Sequence, residues 1–476
     1  MTSSSIPASA PQKPLWKIFI AFLIPMIFSN VLQSLSGTVN TIYVGQMLGV
    51  NAMAAATSFF PIMFLLIAFV LGLSVGATVL IGQAWGAQDT DRVTAIGTTV
   101  LTVNLLLGIA ISIGGGIFAE HILRLVETPA AILADATAYA RIMFICAPIL
   151  FLFLLFTSLL RGVGDTVTPL IALALSTAVG LTLTPLLIRG WIGLPPLGVA
   201  SAAFASASGW ICALAWLAYR LGSRNHPLAP QTLLARQSDF NRAILKRVLQ
   251  IGIPTAVQMI VMALSELALL GMINRFGSEA TAAYGAVNQV MAYVQFPAIS
   301  IAITVSILGS QALGAGRVAQ LGGITRTGLV MNLAITGGLV LLGYLGSGLL
   351  VRLFIADDAV VTLTQHALHI VLWSSVAYGM AGVFSGMMRA SGTVLVPTAL
   401  SILAILAVEI PVGWFMSHRM GAIGVWVAYP VAYCAMLAMQ AAYYWLSWRP
   451  RRVELARKIA LSLAEKTRIG PAQAEG

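Results

Sequence analysis

Two of the fifteen acidic side chains in this 476-residue sequence stand deep inside apolar runs, and they are the residues best placed to do chemistry. Glu266 interrupts the stretch Ala256 to Leu270, and Glu409 lies two residues before Pro411. An ionised side chain at the centre of a membrane helix costs roughly 2.5–3.5 kcal/mol on insertion scales, so by default it marks a path for ions, protons or charged solutes. Glu266 precedes Arg275 by nine residues and Glu409 precedes His418 by nine (275 − 266 and 418 − 409). At 1.5 Å per helical residue, both carboxyls are expected about 13 Å below the outer ends of their helices, in reach of one cavity. Two carboxyls desolvated side by side favour a shared proton at neutral pH, which a cationic solute can then displace. A purely local role, a bond to backbone or to a neighbouring helix, is the competing reading for each.

Other polar residues at depth are less decisive. Gln33 and Gln258 follow Pro25 and Pro254 in corresponding spans and suit a cavity wall or a bridge between helices. Asn104 and Asn332 recur as a pair, which a bridging role explains equally well. His366 and His369 fit an interfacial position, and Asp165 fits a local cap in a turn. The five histidines and fifteen acids show no catalytic or metal-ligand spacing, and no Gly-rich nucleotide loop is present, so neither an enzyme, a metal site nor a bound cofactor is expected.

The elements that must carry these residues follow from composition. With 59% hydrophobic residues, 9% charged residues and a mean hydropathy of +0.93, the chain cannot be a soluble globule. Apolar runs of about 20 residues each match a hydrocarbon core of about 30 Å. Twelve spans are predicted, near 17–44, 54–82, 95–118, 136–160, 168–189, 197–220, 248–273, 282–310, 327–351, 367–388, 397–417 and 422–447. Runs such as Ile149 to Phe156 are apolar on every face and exclude the alternation of a transmembrane barrel. Cys146, Cys212 and Cys434 all fall inside spans, where they read as small hydrophobes rather than a disulfide framework.

The net charge of +11 is distributed as in a membrane protein rather than a nucleic-acid binder. Of the 26 basic residues, 20 fall on one side of the spans and 6 on the other, which places both termini in the cytoplasm. No basic residue is expected at depth except Arg141 near an outer end. The tail Arg449 to Arg468 interleaves charge with Leu455, Ile459 and Leu463, as a helix lying on an anionic leaflet would.

An internal repeat organises the spans. Arg161-Gly162-Val163-Gly164-Asp165-Thr166 recurs as Arg389-Ala390-Ser391-Gly392-Thr393-Val394, an offset of 228 (389 − 161). Gln83-Ala84-Trp85-Gly86-Ala87 meets Gln311-Ala312-Leu313-Gly314-Ala315 at the same offset. Each half holds six spans, so the halves enter and leave on one side and are related by a pseudo-two-fold axis along the membrane normal. The expected organisation is an N-terminal segment 1–16, an N-lobe 17–221, a linker 222–247, a C-lobe 248–447 and a basic tail 448–476.

These duplicated motifs, with Val39-Asn40-Thr41 and Gly45, resemble the multidrug and toxic compound extrusion (MATE) transporters over about residues 20–445. The resemblance implies a V-shaped pair of bundles in a bacterial inner membrane, acting as a monomer, that exports amphipathic organic cations in exchange for protons or Na+. Lipid-flipping relatives of similar architecture give the alternative function. The acids usual in the family are replaced here. Asn40 stands where members commonly carry Asp in the first span, and Thr184 precedes Pro185. Met262 and Tyr378 occupy positions where some sodium-coupled members have carboxylates.

Overall fold

The computed structural model describes residues 14–190, 197–236, 240–352 and 357–451, and among these every regular element is a helix. Twelve spans appear in the predicted order. The first six are α1 (Leu15–Leu48), α2 (Val50–Gly86), α3 (Thr90–Leu125), α4 (Leu133–Ile145 with Ala147–Val163), α5 (Val167–Ile188) and α6 (Ala200–Ser223). The second six are α7 (Arg242–Asn274), α8 (Ser278–Gly314), α9 (Gln320–Leu345), α10 (Val360–Ala390), α11 (Leu395–Met420) and α12 (Ala422–Arg451). The tail helix expected beyond Arg451 lies outside the described residues.

Proline shapes several of these helices. The sequence reads the fourth span as one run, whereas α4 bends by 51° at Cys146, where Pro148 supplies no N–H to continue the ladder. In α11 a π-helical turn, Ala404–Glu409, ends two residues before Pro411 and carries Glu409 as its last residue. Such turns are rare and gather at functional positions. Pro25 and Pro254 sit inside α1 and α7.

Each lobe has its own packed interior. Ile81, Leu155, Leu159 and Leu160 centre the N-lobe, while Val287, Val371, Leu372 and Trp426 centre the C-lobe. Phe19 and Leu23 at the start of α1 pack with Val383, Met387 and Met388 of α10, so α1 ties the lobes together at its first turns. Large apolar side chains such as Ile113, Ile117, Leu342 and Leu345 face outward, as a lipid-solvated surface requires.

The lobes meet along a seam where glycines let the helices approach closely. A Cβ on Gly72 would lie 2.6 Å from the carbonyl oxygen of Gly252, and one on Gly76 would lie 2.6 Å from that of Val248, so α2 and α7 touch backbone to backbone. At the end of the seam the contact is reciprocal: a Cβ on Gly86 would fall on the Gln311 carbonyl, and one on Gly314 on the Gln83 carbonyl. The Gln83 side-chain amide donates to the Ala390 carbonyl at 2.8 Å, and its counterpart Gln311 donates to the Gly162 carbonyl at 3.0 Å. Both acceptors sit at helix ends shaped by a glycine in left-handed backbone, Gly164 at φ +99° and Gly392 at φ +80°, a conformation any side chain would strain. The repeat is therefore two halves of one two-fold latch.

Candidate functional site

A cavity of about 520 Å³ lies against the N-lobe and is walled by α1, α2, α4, α5 and α6, with Met259 of α7, Ile303 of α8 and Arg389 of α10 completing it. Its wall is mostly apolar, from residues such as Leu150, Phe153 and Trp210, set with uncharged polar groups. Gln33 and Asn40 are both on this wall. The Thr184 hydroxyl bonds the Asn40 side-chain oxygen at 3.2 Å, joining α5 to α1 across the two positions where acids are missing. Among the described residues no Asp or Glu lines the cavity.

The cavity also holds two arginines, both among the basic residues counted at the cytoplasmic ends of the spans. Arg161 and Arg389 both line it, whereas Arg141 is exposed on α4. Counting along the chain puts both arginines at helix ends. The seam closes over those ends, and helical side chains point back toward the N-terminus, so the guanidiniums reach inward.

A second constellation occupies the C-lobe. Glu409 is buried, 5% exposed, whereas Glu266 is exposed. The helix that carries Glu266 packs against the π-helical turn that carries Glu409. The Tyr284 hydroxyl donates to the Glu266 carbonyl at 3.3 Å and shares a hydrogen bond of 2.9 Å with the Tyr429 hydroxyl. Tyr378 stacks obliquely on Tyr433, ring centroids 5.0 Å apart, and Gln295 donates to the Tyr433 hydroxyl at 3.4 Å. Carboxyls among phenols can bind a proton or a small cation, because every neighbour offers oxygen or a π face.

The six candidate residues thus separate. Gln33 and Asn40 belong to the cavity, while Glu266, Glu409 and Tyr378 belong to the carboxyl–tyrosine cluster. Gln258, half-buried on α7, is on neither wall. Tyr284, Tyr429 and Tyr433 escaped sequence reading, although Tyr429 and Tyr433 are four residues apart on one helix face (433 − 429). Asp165 is a local cap, accepting from the Val167 and Thr168 amides at 3.1 and 2.9 Å. Asn332 bridges helices by donating to the Val376 carbonyl at 3.0 Å, whereas Asn104 bonds within its own helix to Val100.

Two six-helix lobes about a pseudo-two-fold axis, a cavity beside their seam and polar groups at membrane depth define a multi-pass membrane transporter. The MatE family model matches residues 25–186 and again 254–415, once in each lobe. The chain belongs to this family of multidrug efflux transporters. It is 41% identical over 445 residues to the probable multidrug resistance protein YoeA of Bacillus subtilis, covering 93% of this chain and 96% of that one. The multidrug export protein MepA of Staphylococcus aureus is 24% identical, with 91% and 94% covered. Among solved structures, a mutant of the Vibrio cholerae MATE transporter VcmN superposes with a TM-score of 0.85 at 21% identity, over 92% of this chain and 97% of that one.

Proposed function

We propose that the protein is a secondary antiporter of a bacterial inner membrane that exports amphipathic organic compounds, organic cations among them, in exchange for protons or Na+. The observation that carries this reading is the reciprocal latch: it shuts one end of a solute-sized cavity with contacts a rocking of the lobes would break. The positive-inside asymmetry makes the latched end cytoplasmic, with both termini on that side, so the latched form is the one that releases solute outward.

The coupling ion is assigned to Glu266 and Glu409. Their cluster is separate from the cavity, so ion and solute need not share a binding site. They compete through the lobe position each one favours. The test is dye efflux from vesicles of purified protein under proton and Na+ gradients imposed separately. Efflux by wild type under a proton gradient, abolished in the Glu266→Gln, Glu409→Gln double variant, is the expected result. Efflux driven by Na+ alone with no pH dependence would sink the proton assignment. A second reading, transfer of an anionic amphiphile between leaflets, is favoured by the two arginines on an acid-free cavity wall.

A further inference from the structure

The geometry points to an oxyanion-binding site at the latched end of the cavity, in which Arg161 and Arg389 receive the carboxylate or phosphate group of an amphiphile. The site rests on the transport reading, since its wall is that of the proposed solute cavity.

Four observations meet here. Both guanidiniums line the cavity, one contributed by each lobe at equivalent positions of the repeat. Each Nε is shut off from solvent and lacks a hydrogen-bond partner. Neither arginine has a carboxylate: the ion pairs among the described residues are Arg124 with Glu120, Arg236 with Asp91 and Arg352 with Asp358. Among the described residues, the one hydrogen bond from either guanidinium is from Arg389 to the Ser385 hydroxyl, long at 3.5 Å. Both side chains are half-buried; a cation held largely out of water without a counter-ion is ordinarily paired, so two of them on one wall leave a place for a negative group. Guanidinium offers five N–H donors in a planar fork that fits carboxylate or phosphate oxygens in pairs.

The wall fixes the rest of the ligand. A cavity of about 520 Å³ lined by Leu150, Phe153, Trp210 and Ile303 is too large and too apolar for a small inorganic anion alone. The occupant is therefore an amphiphile with an anionic end at the latch and an apolar body toward Asn40 and Thr184. The residues after the arginines, Gly162 and Ala390, accept the two latch hydrogen bonds. An anion held at this end of the cavity thus sits beside the point where the latch joins the lobes.

The test uses the full chain in phosphatidylcholine nanodiscs at fixed ionic strength, with a rhodamine bearing a free carboxylate and its ethyl ester as probes. The two share one cationic ring system and differ only in the anionic group. Wild type is expected to bind the acid about tenfold more tightly by fluorescence polarisation, the scale of one charge-assisted bidentate contact. Arg161→Gln with Arg389→Gln is expected to remove the preference by weakening the acid, with ester affinity unchanged or tighter because two repelling charges are gone, and Lys at both positions is expected to restore part of it. Equal affinity of wild type for acid and ester overturns the site. So does a preference that survives in a double variant with wild-type thermal unfolding.

If the glutamine variants do not fold, competition on wild type decides. Displacement of the acid dye by octyl phosphate but not by octyltrimethylammonium supports the site, and equal displacement by the two overturns it. Stronger displacement by short-chain phosphatidylglycerol than by octyl phosphate identifies a lipid headgroup as the source of the anion, and the reverse identifies a soluble amphiphile. Gradient-driven efflux of ester without acid preference refutes the anion site alone. Acid preference without efflux of either dye refutes the transport reading alone.

Discussion

Removing both halves of the latch, Gln83→Ala with Gln311→Ala, tests whether the duplicated motif holds the lobes closed at one end. Each side chain donates one inter-lobe hydrogen bond, at 2.8 Å to Ala390 and 3.0 Å to Gly162. A bond of this kind contributes about 0.5–1.5 kcal/mol net, so losing both weakens the closed seam by about 1–3 kcal/mol. That corresponds to a shift of about 5- to 150-fold toward the separated arrangement. The backbone contacts of Gly72 with Gly252 and of Gly76 with Val248 are untouched, so the change acts on an equilibrium rather than on folding. The assay is a distance measurement between spin labels on exposed Thr90 and Arg317, with Cys146, Cys212 and Cys434 first replaced by alanine. The separated population should rise by the stated factor in the double variant and by roughly its square root in each single variant. An unchanged distance distribution, with normal protein yield and unfolding temperature, refutes the latch.

Three further outcomes follow from the same geometry. The double carboxyl variant at Glu266 and Glu409 should lose ion-driven efflux while keeping dye binding in the separate N-lobe cavity; loss of binding with efflux would place the ion and the solute in one site. Asn40→Asp introduces the first acid into the cavity beside Thr184 and should tighten binding of the cationic ester dye by about fivefold, the scale of one partly buried charge interaction. Unaltered ester affinity would mean that the dye does not reach Asn40. Outside the membrane, the His226 ring stacks near Trp85 at the latched end, centroids 6.0 Å apart, and its Nδ1 accepts the Leu228 amide at 3.1 Å. Burial pushes its imidazole below the ordinary 6.5, Arg224 adds to this, and Asp165 opposes it. The folded chain therefore binds fewer protons here than the unfolded one, so this contribution to stability is complete above pH 6.5 and is lost as the pH falls below it. His226→Asn should flatten the rise of unfolding temperature between about pH 5 and 7, and an unchanged slope would remove His226 as its source.

Sequence alone determined the solvent, the helices and the symmetry. Twelve apolar runs of membrane length can only be spanning helices, because lipid satisfies no backbone group, and a repeat of six spans can only be parallel. Glu266 and Glu409 were legible for the same reason: a charge in an apolar run stands out by its cost. The tertiary structure decided what those residues meet. That Tyr284, Tyr378, Tyr429 and Tyr433 gather around the carboxyls depends on how α7, α8, α10, α11 and α12 pack, and tyrosine in a membrane helix carries no cost that would flag it. Gln83 and Gln311 were visible as a repeat, but their exchange of partners between lobes appears only when the two helix ends face each other. Arg161 and Arg389 are the sharpest case. In one dimension they are helix-end arginines like any others, and only the closure of one lobe on the other turns those ends into the wall of a cavity without a single acid among its described residues.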